Sequence, residues 1–236
     1  MPPVQIEIYP DRSALVGRSL ELVQQHIRTA VDQRGTCAIA LAGGSTPQPL
    51  YEALAKLDLP WANLHIFWGD ERYVPVDHAD SNAGMAKAAW LDQVPIPVTQ
   101  IHIIPTHFEQ PADAATAYEK VVKDVLGYQP TFDIVLLGMG DDGHTLSLFP
   151  HTAAVNVSDR LVTVGDKGGD PRITLTAPLI NQSRCVMFLV SGSNKQAALK
   201  EVFSPTASDL AFPARKIQPI GELWWLLDAA AGEAIQ

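Results

Sequence analysis

The segment Gly138-Met139-Gly140-Asp141-Asp142-Gly143-His144 combines three glycines with an aspartate two positions before a histidine. Imidazole ordinarily titrates near neutrality, at about pH 6.5, so it can take a proton from water and return it to a leaving alkoxide. A carboxylate at that spacing can fix the ring's orientation, and the glycines let the chain turn sharply. His144 is therefore the candidate general base, beside Asp142. A lone histidine is more often a satisfied core residue, and His26, His65, His78, His102, His107 and His151 lack this setting. No serine sits in a Gly-x-Ser-x-Gly elbow, and neither Cys37 nor Cys185 has a catalytic context. Water is the expected nucleophile.

A second chemistry is anion binding. Gly43-Gly44-Ser45-Thr46-Pro47 places small residues where backbone can approach a ligand closely, and it opens a helix whose free N–H groups favour a phosphate. A plain glycine turn with a Ser or Thr cap is the competing reading of that loop. It lacks the Gly-Lys-Ser/Thr of a nucleotide-binding loop, and no Gly-x-Gly-x-x-Gly is present. Arg172 and Lys195, each at a loop or strand end, can supply countercharge if they converge on it. Asp70-Glu71-Arg72 puts two carboxylates and a guanidinium at a strand mouth. Successive side chains alternate there, so at least one faces the crevice, while an internal salt bridge is the alternative for Glu71.

Strands must position these groups. Cys37–Ala42 is a short, continuous apolar run of the kind buried on both faces of a parallel sheet, Leu64–Trp68, Phe132–Leu137 and Cys185–Val190 also read as strands, and each of the four runs into one of the polar motifs. Ser13 can cap a helix whose apolar positions Leu15, Val16, Leu20, Val23, Ile27 and Val31 recur at three and four up to Gly35. Pro47 is the residue type preferred at the first helical position and is expected to begin the next helix, with Leu50, Leu54 and Leu57 on one face of it. Alternating strands and helices predict an α/β fold, an open and mostly parallel sheet flanked by helices on both faces. All four loops should then meet at one crevice beyond the carboxyl ends of the strands. No repeat or linker divides residues 1–236, so a single domain is expected; the Gly-rich segment from Asp159 to Arg172 is expected to be a mobile loop.

Composition narrows the functions. The 236 residues are 47% hydrophobic and 18% charged, which suits a packed globular chain. The net charge of −9 disfavours nucleic acid and makes any phosphate site a local island of positive charge. No run of roughly 20 apolar residues crosses a bilayer, and the opening residues lack a signal peptide's basic start, so a cytoplasmic protein without a membrane partner is expected. The two cysteines show no Cys-x-x-Cys and no histidine at metal spacing, so no metal and no cofactor are expected.

These motifs together resemble the family of 6-phosphogluconolactonases and glucosamine-6-phosphate deaminases. The resemblance rests on Gly43 to Pro47, on Trp68-Gly69-Asp70-Glu71-Arg72 with Ser81-Asn82, on Gly138 to Pro150, and on Arg172-Ile173-Thr174 with Gly192-Ser193-Asn194-Lys195. Pro213-Ala214-Arg215 and Trp225-Leu226-Leu227-Asp228 extend it. It implies a Rossmann-like, deaminase-like fold and hydrolysis of 6-phospho-D-glucono-1,5-lactone to 6-phosphogluconate by a monomer or weak homo-oligomer. His144 would be the base and Asp142 its orienting group, with Arg72 and Asp70 lining the lactone and Gly44, Ser45, Arg172 and Lys195 holding the phosphate. The oxyanion would fall to Arg72 or a backbone N–H of the glycine loop. A sugar-phosphate deaminase or isomerase, the nearest rival, carries a carboxylate five residues after the catalytic histidine, where this chain has Phe149. A non-catalytic sugar-phosphate sensor, the other rival, would normally bring a DNA-binding segment. The chain departs from the family at Leu146, usually Ala, and at Gly168-Gly169-Asp170-Pro171, usually richer in proline.

Overall fold

In the computed structural model, which describes residues 4–235, seven parallel strands form the main sheet. The predicted single domain over 1–236 includes Met1–Pro3 and Gln236, which lie outside the described residues. In chain order the elements of this sheet and its flanks are β1 (Val4–Tyr9), α1 (Arg12–Arg34), β2 (Cys37–Leu41), α2 (Gln48–Leu54) and β3 (Leu64–Trp68). A short strand, β4 (Asp70–Arg72), leaves the main sheet and is followed by α3 (Asn82–Ala89), β5 (Ile101–His102), α4 (Pro111–Leu126) and β6 (Ile134–Leu137). The chain then forms β7 (Val162–Lys167), β8 (Asp170–Leu175), α5 (Ala177–Ile180), β9 (Cys185–Val190), α6 (Gln196–Phe203), β10 (Glu222–Asp228) and α7 (Ala229–Gly232).

The main sheet runs β1-β10-β9-β6-β2-β3-β5, flanked by helices. Every residue of β2, β6 and β9 is buried, as continuous apolar runs covered on both faces require. From β2 the chain builds outward through β3 and β5, then returns to lay β6 on the other side of β2. The order therefore reverses between β2 and β6, and the loops after these two strands splay apart to leave a crevice. Those loops are Gly43 to Pro47 and Gly138 to His144.

Three local expectations are corrected. The cap of α1 is Asp11, whose carboxylate accepts from Ala14 N–H at 2.9 Å, and Ser13 lies inside the first turn. Pro47 sits one residue before α2, its carbonyl accepting from Leu50 and Tyr51. Asp159 to Arg172 is largely not a loop: β7 and β8 pair antiparallel from Val162↔Leu175 to Lys167↔Asp170. Gly168 and Gly169, with φ of 64° and 99°, form the two-residue turn, and such paired positive φ values match the strands' twist. Pro171 is tolerated in β8 because β4 pairs only as far as Arg172, so no ladder needs the missing N–H on that side. β4, β8 and β7 make a second, antiparallel sheet of three strands.

Candidate active site

Beyond the carboxyl ends of β2, β3, β6 and β9 lies a cleft of about 360 Å³. Gly43, Gly44, Ser45, Thr46, Asp70, Arg72, His144, Arg172 and Lys195 all line it. Asp142, the remaining residue singled out from sequence, stands behind His144 rather than in the cleft wall. The four loops thus meet as the sheet topology demands.

Asp142 Oδ1 accepts twice from one residue, from the backbone N–H of His144 at 3.0 Å and from its Nδ1 at 2.6 Å. A carboxylate can only accept, so the ring proton is assigned to Nδ1 and the lone pair is left on Nε2. Burial alone would raise the Asp142 carboxyl, but the bonds and charge of His144 hold it below the usual carboxylate range. Gly140 makes the pair possible: a Cβ there would lie 2.1 Å from His144 Nδ1 and 2.5 Å from Asp142 Oδ1. On the other side, the Phe149 ring packs against the imidazole with centroids 4.6 Å apart.

The second sheet brings in the charges. Asp70 and Arg72 alternate with Glu71 along β4, and Arg72 stands directly opposite Arg172 on β8. Like charges at paired positions repel, an arrangement that a bound anion relieves. Among the described residues, neither arginine nor Lys195 forms an ion pair with a carboxylate. Burial pushes the Asp70 carboxyl up, against the Ser147 hydroxyl, which donates to its Oδ2 at 2.6 Å, and the charges of Arg72, His144 and Arg172. Glu71 points the other way and is structural without a salt bridge. Its two oxygens accept from Asn82 and Ala83 N–H at 2.7 Å each and from the Ser81 hydroxyl at 3.0 Å, capping α3. Burial raises its carboxyl despite those bonds.

Asn82, Ser147 and Lys167 are among the further cleft residues that the motifs did not single out. Ser147 and Phe149 lie inside the Gly138 to Pro150 block, and Asn82 beside Ser81, but only contacts reveal their places. Lys167 ends β7 at the hairpin tip, its Nζ 5.9 Å from the Phe149 ring centroid. Asp228, at the end of β10, was also unassigned; its carboxylate accepts from Ser191 Oγ and from Gly192 N–H at 3.1 Å, fixing the loop that carries Lys195. Leu146, the family departure, lines the cleft with φ 54°, a left-handed conformation that costs an L-residue about 1–2 kcal/mol.

Fold and site define an α/β protein with a switch-point cleft equipped for acid–base chemistry on a small anionic molecule. Residues 10–225 match the family described as glucosamine-6-phosphate isomerases/6-phosphogluconolactonase, and the chain belongs to that family. A 6-phosphogluconolactonase from Nostoc sp. is 56% identical over 231 residues, 96% of each chain. One from Synechocystis sp. is 53% identical over 236 residues, 98% of each. The solved 6-phosphogluconolactonase from Trypanosoma cruzi, 30% identical, superposes with a TM-score of 0.89 over 99% of this chain and 97% of its own.

Proposed function

We propose that this chain hydrolyses 6-phospho-D-glucono-1,5-lactone to 6-phospho-D-gluconate, a step of the oxidative pentose phosphate pathway, as a cytoplasmic single-domain enzyme that is a monomer or weak homo-oligomer. The observation that carries the reading is the Asp142–His144 pair, bonded at 2.6 Å, at a cleft that also holds Arg72, Arg172 and Lys195. Relatives named for this activity at up to 56% identity over nearly the whole chain support it. No helix among the described residues is long and apolar enough to cross a membrane.

In this reading His144 Nε2 takes a proton from water, and the hydroxide attacks the C1 carbonyl carbon. The tetrahedral oxyanion is met by Arg72 or a backbone N–H of the glycine loop. It collapses as the bond from C1 to the ring oxygen breaks. That oxygen takes the proton from the imidazolium and leaves as the C5 hydroxyl. Asp142 stays ionised and stabilises the imidazolium. Asp70 and Arg72 line the lactone, while Gly43, Gly44, Ser45, Thr46, Arg172 and Lys195 hold the phosphate. Phe149 stands where deaminases carry their extra carboxylate, which argues against an amino-sugar substrate.

The test supplies freshly made 6-phosphogluconolactone in an assay coupled to 6-phosphogluconate dehydrogenase, with glucosamine 6-phosphate in parallel. Expected are lactone opening well above the spontaneous rate and no ammonia from the amino sugar. Folded protein that leaves the spontaneous rate unchanged contradicts the proposal, and ammonia release would point to the deaminase instead.

A further inference from the structure

At the opposite rim of the main sheet, where the strands begin, three side chains with metal-ligating atoms gather. Cys185 and Glu222 open β9 and β10 and are direct partners in the parallel register. His26 reaches them from α1, its Nε2 3.7 Å from Glu222 Oε2, and one ligand atom from each of the three lies within 4.8 Å of the others. Nothing in the sequence spacing announces this, because residues 26, 185 and 222 meet only through the strand order.

A tetrahedral ion with bonds of about 2.0–2.3 Å holds its ligands about 3.3–3.7 Å apart. The histidine–carboxylate spacing of 3.7 Å already fits, and no two of the three ligand atoms lie more than 4.8 Å apart, so reaching tetrahedral spacing takes side-chain shifts of about 1 Å at most. Trp224 Nε1 donates to Glu222 Oε2 at 2.8 Å, an outer bond of the kind that orients a ligating carboxylate. Cys185 is fully buried, whereas the His26 and Glu222 side chains are 18% and 44% exposed, so the approach from solvent is past the carboxylate. A thiolate and a carboxylate together neutralise a divalent cation, and the negative charge of Asp133 also acts on His26.

We propose that His26, Cys185 and Glu222 form a binding site for a thiophilic divalent cation such as Zn²⁺, with water as fourth ligand, tying α1 to β9 and β10. Binding exchanges the thiol proton for the metal, Cys–SH + M²⁺ giving Cys–S–M⁺ + H⁺, so uptake tightens as pH rises. The six-residue span of β9 separates this rim from the cleft by roughly 20 Å, so the bound ion supports the fold and takes no part in lactone chemistry.

Cobalt(II) titrated into the full chain tests this through the thiolate-to-cobalt charge-transfer absorption. Expected is one Co²⁺ per chain with that band, displaced by Zn²⁺, absent in Cys185→Ser and retained in His144→Gln. A 100-fold excess of Zn²⁺ over its dissociation constant should raise Tm by roughly 5 °C in the wild type and not in His26→Gln. His26 is partly exposed, so that variant keeps the test decisive if Cys185→Ser does not fold. No thiolate band, a band that survives Cys185→Ser, or a thermal shift that survives His26→Gln but vanishes in His144→Gln overturns the proposal.

Discussion

Asp142 spends one carboxylate oxygen on both the backbone and the ring of His144, so a five-residue turn fixes the tautomer as well as the rotamer of that imidazole. Gly140 is the hidden third member of that arrangement. In Gly140→Ala the new methyl cannot coexist with a His144 Nδ1 only 2.1 Å away, and the ring or Asp142 must move. Because a misplacement of about 1 Å can cost on the order of 10²-fold, kcat should fall by about that much with Tm little changed. An unaltered kcat would show that the ring geometry tolerates displacement. This part of the site was legible because its chemistry is local: His144, Asp142 and the glycines sit within seven positions. Ser147 was not, since its bond to Asp70 spans 77 positions and depends on β4 meeting the Gly138 block. Lys167 was hidden in the same way, its place set by a hairpin that glycines disguised as a loop.

At the scale of elements, β2, β3, β6 and β9, each running into a polar motif, announced themselves as strands, whereas the edge strands β1 and β5 and the buried β10, which enters through Trp225 to Asp228 only as part of a resemblance, did not. β2, β6 and β9 are unbroken apolar runs, whereas β1 alternates Val-Gln-Ile-Glu-Ile-Tyr against a single neighbour, and β5 is two residues long. The pairing of β3 with β5 sets His65 Nδ1 3.1 Å from His102 Nε2, with the rings stacked. Burial lowers His65, and burial with the His65 charge lowers His102 to about 4. Folded pKa values depressed below the unfolded value of about 6.5 mean that this contribution to stability is fully present above pH 6.5. It is lost as pH falls from there toward 4, when the chain unfolds to take up the protons. Urea midpoints should therefore drop between pH 6.5 and 4.5 by more in the wild type than in a His65→Gln/His102→Gln variant. Equal drops would assign the acid sensitivity to other groups.

Over the whole molecule, a chain of net charge −9 concentrates Arg72, Arg172 and Lys195, none of them ion-paired to a carboxylate among the described residues, at one cleft. The acidic composition requires such an island for any phosphate ligand, and the cleft is where the fold supplies it. The α/β class and the meeting of four loops followed from strand–helix alternation, but the strand order, and with it the switch point between β2 and β6, rests on pairings that no local pattern encodes. The same order makes the sheet two-ended, with acid–base groups beyond the carboxyl ends and the His26, Cys185 and Glu222 cluster at the amino ends. The central claim is that His144 activates water on a bound phosphorylated lactone. The most direct measurement is the hydrolysis rate of 6-phosphogluconolactone by wild type and His144→Ala, alongside the affinity of each for 6-phosphogluconate. The account predicts a kcat lower by about 10²–10⁴-fold in the variant, with product affinity within a few-fold of wild type. A His144→Ala enzyme that still turns over lactone at close to the wild-type rate would contradict it.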